Sequence, residues 1–266
     1  MTSLPGATWF VGCGNMAGAM VEGWRKAGVD LSQAVAIRPS GRPVEGIRTV
    51  TALPDGNPAL AMLGFKPQKL DEVVPELASK VGPETVVLSI LAGVEAASLR
   101  QRFPNAAAIV RAMPNLPVSE GRGVVALYSS DMDAELKRQL SELFAPLGLA
   151  IWTEEEAGLS AIGSVAGAGP AYVARFIAAL GKAGVGLAPD LAARIALETV
   201  IGTALMAEAR GEDMAEVARR VASPKGTTEA GLAVLDADGA LDRLIAETIA
   251  AAARRGRELA EEARKP

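Results

Sequence analysis

The stretch TWFVGCGNMAGAMVEGWRKAG, residues 8–28, constrains the fold more than any other part of the chain. A β-prone apolar run from Thr8 to Cys13 passes directly into a segment of helical spacing, in which Met16, Met20, Val21 and Trp24 share one face and Gly28 is placed to end the helix. Between run and helix stand Gly12 and Gly14, and Ala17 fills the last place of a G-x-G-x-x-A pattern. Gly12 permits a tight turn, Gly14 lets the backbone come close to a pyrophosphate, and Ala17 lets helix and strand pack tightly. The free N–H groups at the start of the helix then face the anion. Strand, glycine turn and helix in this order predict a dinucleotide site, with a purely structural turn as the alternative.

Further short apolar runs follow at AVAIR (34–38), ALAMLGF (59–65), VVLSIL (86–91), AAAIVRAM (106–113, stopping at Pro114) and GVVALYSS (123–130), with a helical segment from Glu95 to Phe103. Strands alternating with helices argue for parallel βαβ units. Beyond residue 155 the pattern becomes helical throughout, in AGPAYVARFIAALGKAGV, APDLAARIALETVIGTALMAEARGE and LDRLIAETIAAAARRGRELAEEA. The second of these carries Leu191, Ile195, Val200 and Leu205 on more than one side, so it is expected to be buried within its domain or at a subunit interface. The expected organisation is an α/β domain over residues 1–155 and an all-helical domain over 156–266.

Half of the 266 residues are hydrophobic and only 4% are aromatic, so Ala, Leu, Val and Ile must build the core. A net charge of −4 without blocks of like charge argues against nucleic acid or an anionic membrane as the main partner. The longest apolar stretch, Ala166 to Ala188, contains Arg175, Lys182 and several glycines, and reads as a buried helix of a soluble protein rather than a membrane span. The single cysteine, Cys13, excludes an intrachain disulfide and fits a cytoplasmic location; inside the glycine turn it reads as an inert buried thiol. The start of the chain lacks the basic region of a signal peptide. Glu154, Glu155 and Glu156 read as a solvated helix start and not as a metal site, Tyr172 as a packing residue, and RRGRELAEEARK as a solvated terminal helix.

The residues at the end of the second strand select among dinucleotides. An NAD site has an acid there for the ribose 2′-hydroxyl. The segment AIRPSGR offers no acid; Arg38, Ser40 and Arg42 supply two cations and a hydroxyl that suit the 2′-phosphate of NADP, against the alternative of an ordinary basic turn. NADPH is the expected cofactor, with NADH as a second choice.

FVGCGNMAGAM, KPQ (66–68), LAGV (91–94), VRAMPNLP (110–117), AGAGPAYV (166–173) and SPKGTTEAGL (223–232), in this order and at these spacings, resemble the pyrroline-5-carboxylate reductase family. The resemblance runs from about residue 8 to about 260. It implies a Rossmann-type NAD(P)-binding domain followed by an all-α dimerisation domain, a homodimer or a larger oligomer built of dimers, and reduction of the cyclic imine 1-pyrroline-5-carboxylate to proline. By the same resemblance Gly12, Gly14, Asn15 and Met16 hold the pyrophosphate, and Lys66, Pro67, Ala92 and Gly93 line the cofactor. Met113, Pro114 and Asn115 sit at the nicotinamide and substrate, while Gly226, Thr227 and Thr228 bind the substrate. The chain departs from the family pattern at Leu116 (usually Thr), at Ala166 and Ala168 (often Ser) and at Lys225 (usually Gly). The Pro/Gly-rich segment TALPDGNPALAMLGF also leaves little room for a helix before KPQ.

The chemistry tolerates the complete lack of histidine, because a cyclic imine becomes protonated near neutral pH and needs no histidine acid. A helix starting near Thr227 would present free N–H groups to a carboxylate, with Thr228 as the residue nearest to chemistry and the Lys225 ammonium adding positive field. A capped structural turn is the plainer alternative for this segment, with Ser223 or Thr227 as the cap. Two other functions remain open on the residues alone: an NADP-dependent reductase of another carboxylated imine or of a hydroxy or oxo acid, and a non-catalytic NADP-binding protein.

Overall fold

The structure, a computed structural model, describes the backbone of residues 4–264, and side chains throughout that span except those of Arg257 and residues 259–264. The solvation expected for the end of the terminal helix lies outside the described residues. The chain divides into two compact units, one of residues 1–168 with 253–266 and one of residues 169–252.

The first unit is built on an eight-stranded sheet. Its strands are β1 (Thr8–Val11), β2 (Ala34–Ile37), β3 (Arg48–Val50), β4 (Leu60–Leu63), β5 (Val86–Ser89), β6 (Ala108–Pro114), β7 (Gly123–Tyr128) and β8 (Gly148–Trp152). They lie in the order β3-β2-β1-β4-β5-β6-β7-β8. The pairs from β3 through β6 are parallel, so the chain crosses from one edge back to the centre between β3 and β4 and leaves a switch point between β1 and β4. The expectation of parallel units throughout is corrected at one place: β7 runs antiparallel to β6. Only a 3-10 turn, Leu116–Glu120, joins them, and a connection this short cannot carry the chain back for a parallel strand.

Helices α1 (Asn15–Lys26), α2 (Leu70–Ala78), α3 (Ala96–Arg102), α4 (Ala134–Phe144) and α5 (Ala157–Ala166) belong to this unit. On one face of the sheet Trp24 of α1 is fully buried, packs in tilted ring contacts with Phe10 at 6.1 Å and Phe144 at 5.9 Å between centroids, and donates its Nε1–H to the Leu143 carbonyl at 2.7 Å. Side chains of this size contribute about 1.5–3 kcal/mol each when removed from water. The opposite face packs Leu70, Leu77, Leu99 and Phe103 of the α2–α3 region against Val87 and Ile109. Between β3 and β4 there is no helix, as the proline- and glycine-rich sequence there suggests.

The second unit contains α6 (Gly169–Lys182), α7 (Pro189–Arg210), α8 (Met214–Val221), α9 (Thr227–Asp236) and the first part of α10 (Ala240–Arg264). Helix α6 was expected to be buried; within the chain it buries only Gly181. Helix α7 buries only Ala192, Ala196 and Ala207 and leaves Leu191, Ile195, Ile201 and Leu205 between 43% and 50% exposed. A helix apolar on several sides, packed on few of them, calls for cover from outside the chain. By length and composition the run Ala157–Lys182 would suffice to cross a membrane, but it forms two helices divided at residues 167–168.

Candidate functional site

The carboxyl ends of the parallel strands bring most of the sequence-predicted cofactor residues to one edge of the sheet. After β1 come Gly12, Gly14, Asn15 and Met16; after β2, Arg38 and Ser40; after β4, Lys66 and Pro67; after β5, Ala92 and Gly93; at the end of β6, Met113 and Pro114, with Asn115 next. In open α/β sheets ligands bind outside the carboxyl ends of the strands at the switch point, here β1 against β4.

The first turn is shaped for a pyrophosphate. Gly12 has φ +78°, and a Cβ there would stand 2.7 Å from the Phe65 Cβ and 2.8 Å from the Phe65 nitrogen, so no other residue fits. Gly14 caps α1 with extended backbone and without a side-chain cap bond. The first N–H groups of the helix therefore lack an intrahelical acceptor and point outward, positive end first. Asn15 is exposed and Met16 half-buried beside them. These residues fit a dinucleotide: Gly12 packs tightly against Phe65, while a Cβ on Gly14 would meet nothing closer than the Gly64 carbonyl at 3.9 Å, beside the free N–H groups of the helix. Burial pushes the Cys13 thiol up to about 11, with the Arg38 charge pulling it partly back, so Cys13 is protonated and inert at neutral pH.

Residues 38–42 form a tight turn. The Gly41 N–H donates to the Arg38 carbonyl at 2.9 Å, the Arg42 N–H to Ser40 Oγ at 3.3 Å, and Arg38 Nη1 to the Arg42 carbonyl at 3.1 Å. Two guanidinium groups and a hydroxyl thus share one turn at the end of β2, and neither arginine is ion-paired with a described residue. The arrangement suits a phosphate monoester better than a bare ribose hydroxyl.

Asn115, expected at the substrate, is buried with both ends of its side chain engaged. Its Oδ1 accepts the Val124 N–H at 2.8 Å and its Nδ2 donates to the Ala166 carbonyl at 2.9 Å. The expected solvated character of the acidic cluster holds for the exposed Glu154 and Glu155 but not for Glu156. That carboxylate accepts the Ala96 N–H at 2.7 Å and pairs with Arg111 at 2.6 Å. Sequence reasoning missed this pair, although its signal was present: an arginine inside the apolar run AAAIVRAM needs a partner.

The remaining predicted residues, Lys225, Gly226, Thr227 and Thr228, form one turn in the helical unit. The Gly226 N–H donates to the Ser223 carbonyl at 2.9 Å, closing a four-residue turn with Pro224 second and Lys225 third. Lys225 has φ 62°, the left-handed conformation that a type II turn demands at this place. Its N–H donates to Glu229 at 2.6 Å. A Cβ on Gly226 would collide with Ser223, lying 2.9 Å from its carbonyl oxygen, so this glycine is sterically required. Helix α9 starts at Thr227, as expected, and its N-cap is Gly226; neither Ser223 nor Thr227 caps it. The Gly226 N–H, expected to be free, is spent in the turn, which leaves the N–H groups of Thr227 and Thr228 at the open end of the helix. Thr228 is half-buried and Lys225 exposed.

The model of the pyrroline-5-carboxylate reductase dimerisation family matches residues 156–259. A pyrroline-5-carboxylate reductase of Pseudomonas aeruginosa is 34% identical over 264 residues, covering 95% of this chain and 96% of that protein. One from Synechocystis sp. is 39% identical over 74% of both chains. Among solved structures, a pyrroline-5-carboxylate reductase from Coxiella burnetii superposes with a TM-score of 0.86 at 29% identity, over 96% of this chain and 99% of the other. A pyrroline carboxylate reductase of Plasmodium falciparum, solved with NADP bound, shares the fold at 22% identity with a TM-score of 0.81, over 96% of this chain and 98% of the other.

Proposed function

The chain belongs to the pyrroline-5-carboxylate reductase family, and from that membership we propose how its residues divide the work of the reaction. The activity is NAD(P)H-dependent reduction of 1-pyrroline-5-carboxylate to L-proline, the last step of proline biosynthesis. The observation that carries the assignment of residues is the glycine cradle at the β1/β4 switch point, with a basic turn beside it in place of an acid.

When bound, the nicotinamide cofactor supplies the hydride, and the protein supplies position and field. Gly12, Gly14, Asn15 and Met16 hold the pyrophosphate against the start of α1. Arg38 and Ser40, with Arg42, take the 2′-phosphate, so NADPH is preferred over NADH. Lys66, Pro67, Ala92 and Gly93 form walls at the ends of β4 and β5, and Met113 and Pro114 the wall at the end of β6. Asn115 contributes to that wall through its fixed place, since its amide is already bonded. In the helical unit the open N–H groups of Thr227 and Thr228, next to Gly226, take the substrate carboxylate; Thr228 stands nearest to the chemistry, and Lys225 adds positive charge.

The domain division follows the same reading: residues 1–155 bind the dinucleotide, and residues 156–266 bind substrate and dimerise. The exposed apolar side chains of α7 support a homodimer, or a larger homo-oligomer built of such dimers. Neither nucleic acid, membrane nor metal enters this reading, and the protein is placed in the cytoplasm. A reductase of another carboxylated imine or of an oxo acid is the second reading, favoured by Lys225 and Leu116, where the chain leaves the family pattern.

Steady-state kinetics test the cofactor assignment. Arg38→Ala with Arg42→Ala should raise the KM for NADPH by about tenfold to a hundredfold, the scale of lost charge-assisted hydrogen bonds. The KM for NADH should stay within about twofold. Equal effects on both cofactors would remove the proposed role of the turn.

A further inference from the structure

Arg111, Met113 and Asn115 are alternate residues of one extended stretch; Asn115 continues the β6 conformation with φ −117° and ψ 162°, so all three lie on one face of it. Each of them touches α5. The Arg111 guanidinium meets Glu156, the N-cap residue, at 2.6 Å. The Met113 Sδ lies where it would stand 2.7 Å from a Cβ on Gly163. Asn115 Nδ2 donates to the carbonyl of Ala166, the last residue of the helix, at 2.9 Å. The lengths agree: residues 156 to 166 of a helix span about 15 Å and residues 111 to 115 of a strand about 13 Å. Helix and strand are therefore fixed to each other at start, middle and end.

The Glu156 contact reaches one element further. The carboxylate oxygen that binds Arg111 also accepts the N–H of Ala96, the first residue of α3, at 2.7 Å. Ala92 and Gly93, the wall assigned at the end of β5, lie directly before α3. One carboxylate thus ties the β5 wall, the β6 wall and α5 together. Among the described residues the Arg111 side chain is held by this contact alone, its Nε–H being buried without an acceptor, so none of them offers a second bond to keep it in place once Glu156 is gone.

We propose that Arg111 and Glu156 are positioning residues for hydride transfer, holding the Ala92–Gly93 loop and Met113 at the spacing that sets the nicotinamide against the imine. The proposal rests on the assignment of those two walls to the nicotinamide. A misplacement of about 1 Å at the reacting atoms is enough to cost about a hundredfold in rate. Among the described residues no hydrogen bond or ion pair joins Arg111 or Glu156 to the pyrophosphate cradle or the basic turn, so cofactor affinity should hardly respond.

The test is made on the full-length enzyme with Glu156→Ala, and with Glu156→Gln, which keeps the shape and an acceptor for Ala96 if the first variant fails to fold. Expected is a fall in kcat of about tenfold to a hundredfold for Glu156→Ala and a smaller one for Glu156→Gln. The NADPH Kd should stay within about threefold, and the primary deuterium isotope effect on kcat with [4-2H]NADPH should increase as the hydride step becomes limiting. A lower melting temperature with kcat and isotope effect unchanged for the folded protein would overturn the proposal, leaving the pair a purely structural role. Met113→Ala separates the two ways of failing. If it changes kcat and the isotope effect while the Glu156 variants do not, the wall assignment stands and the positioning pair falls. If none of the variants changes either quantity, both fall.

Discussion

Lys225 occupies a backbone position that its own chemistry resists. The turn closed by Ser223 and Gly226 demands a positive φ at its third residue, and Lys225 adopts 62° there. For a residue with a side chain the left-handed region costs about 1–2 kcal/mol. Lys225→Gly should therefore stabilise the protein by about 1 kcal/mol against urea, after allowance for glycine's larger chain entropy. The same variant should raise the KM for 1-pyrroline-5-carboxylate, because it removes the ammonium proposed to favour the carboxylate. Opposite changes in stability and affinity are the signature; an unchanged KM would leave the lysine to solvent. The lysine was legible in the sequence as a departure, but its strain was not, since φ is set by the turn as a whole. Cys13 gives a second residue-scale outcome. Its thiol is raised from an ordinary value near 9.0 to about 11 in the folded state, so the unfolded chain loses its proton first. The stabilisation is complete below about pH 9 and is lost as pH rises towards 11, by about 2–3 kcal/mol in all. Urea titrations of the protein and of Cys13→Ala across that range should show the slope vanish in the variant.

At the scale of elements, the strand–turn–helix at residues 8–26 was readable because every level agreed: apolar strand, required glycine, helical face. Gly12→Ala should destabilise the protein by about 2 kcal/mol or more, since it combines a positive φ with a clash against Phe65 backbone. It should also weaken NADPH binding by at least about tenfold if the turn is the pyrophosphate cradle. Isothermal calorimetry with NADPH measures that, and an unchanged affinity would place the cofactor elsewhere. The elements that went unread have a common physical reason. Strands β3 and β8 lack the fully buried pattern of the central strands, with half-buried or exposed positions throughout, so their apolar signal is weak. Helix α4 carries mostly charged and polar residues and α8 is a short segment broken by Glu216, Arg219 and Arg220; they are started by Asp133 and Asp213, whose carboxylates accept the N–H of Leu136 and Glu216. The antiparallel β7 follows from the length of a loop and not from the composition of the strand.

At the scale of the whole molecule, the glycine motif, the basic turn and the sheet order point to one cofactor edge, and the helical unit adds a turn with open N–H groups. The apolar exposure of α7 belongs to this scale as well. Its sequence announced burial, and the single chain withholds that burial, which is what a surface completed by a second subunit looks like. The half-buried arginine of β6 shows the limit of reading by pattern: its partner stands 45 residues away and only the fold brings them together. The chemistry assigned to this chain is transfer of a hydride from the nicotinamide to the imine carbon of 1-pyrroline-5-carboxylate. Incubation of the purified protein with [4-2H]NADPH and that imine, followed by mass spectrometry and NMR of the product, tests it directly. The expected product is L-proline carrying one deuterium at C5, formed in equal amount to the cofactor oxidised. Cofactor oxidation with a 2-oxo acid or a different cyclic imine, and none with 1-pyrroline-5-carboxylate, would contradict it.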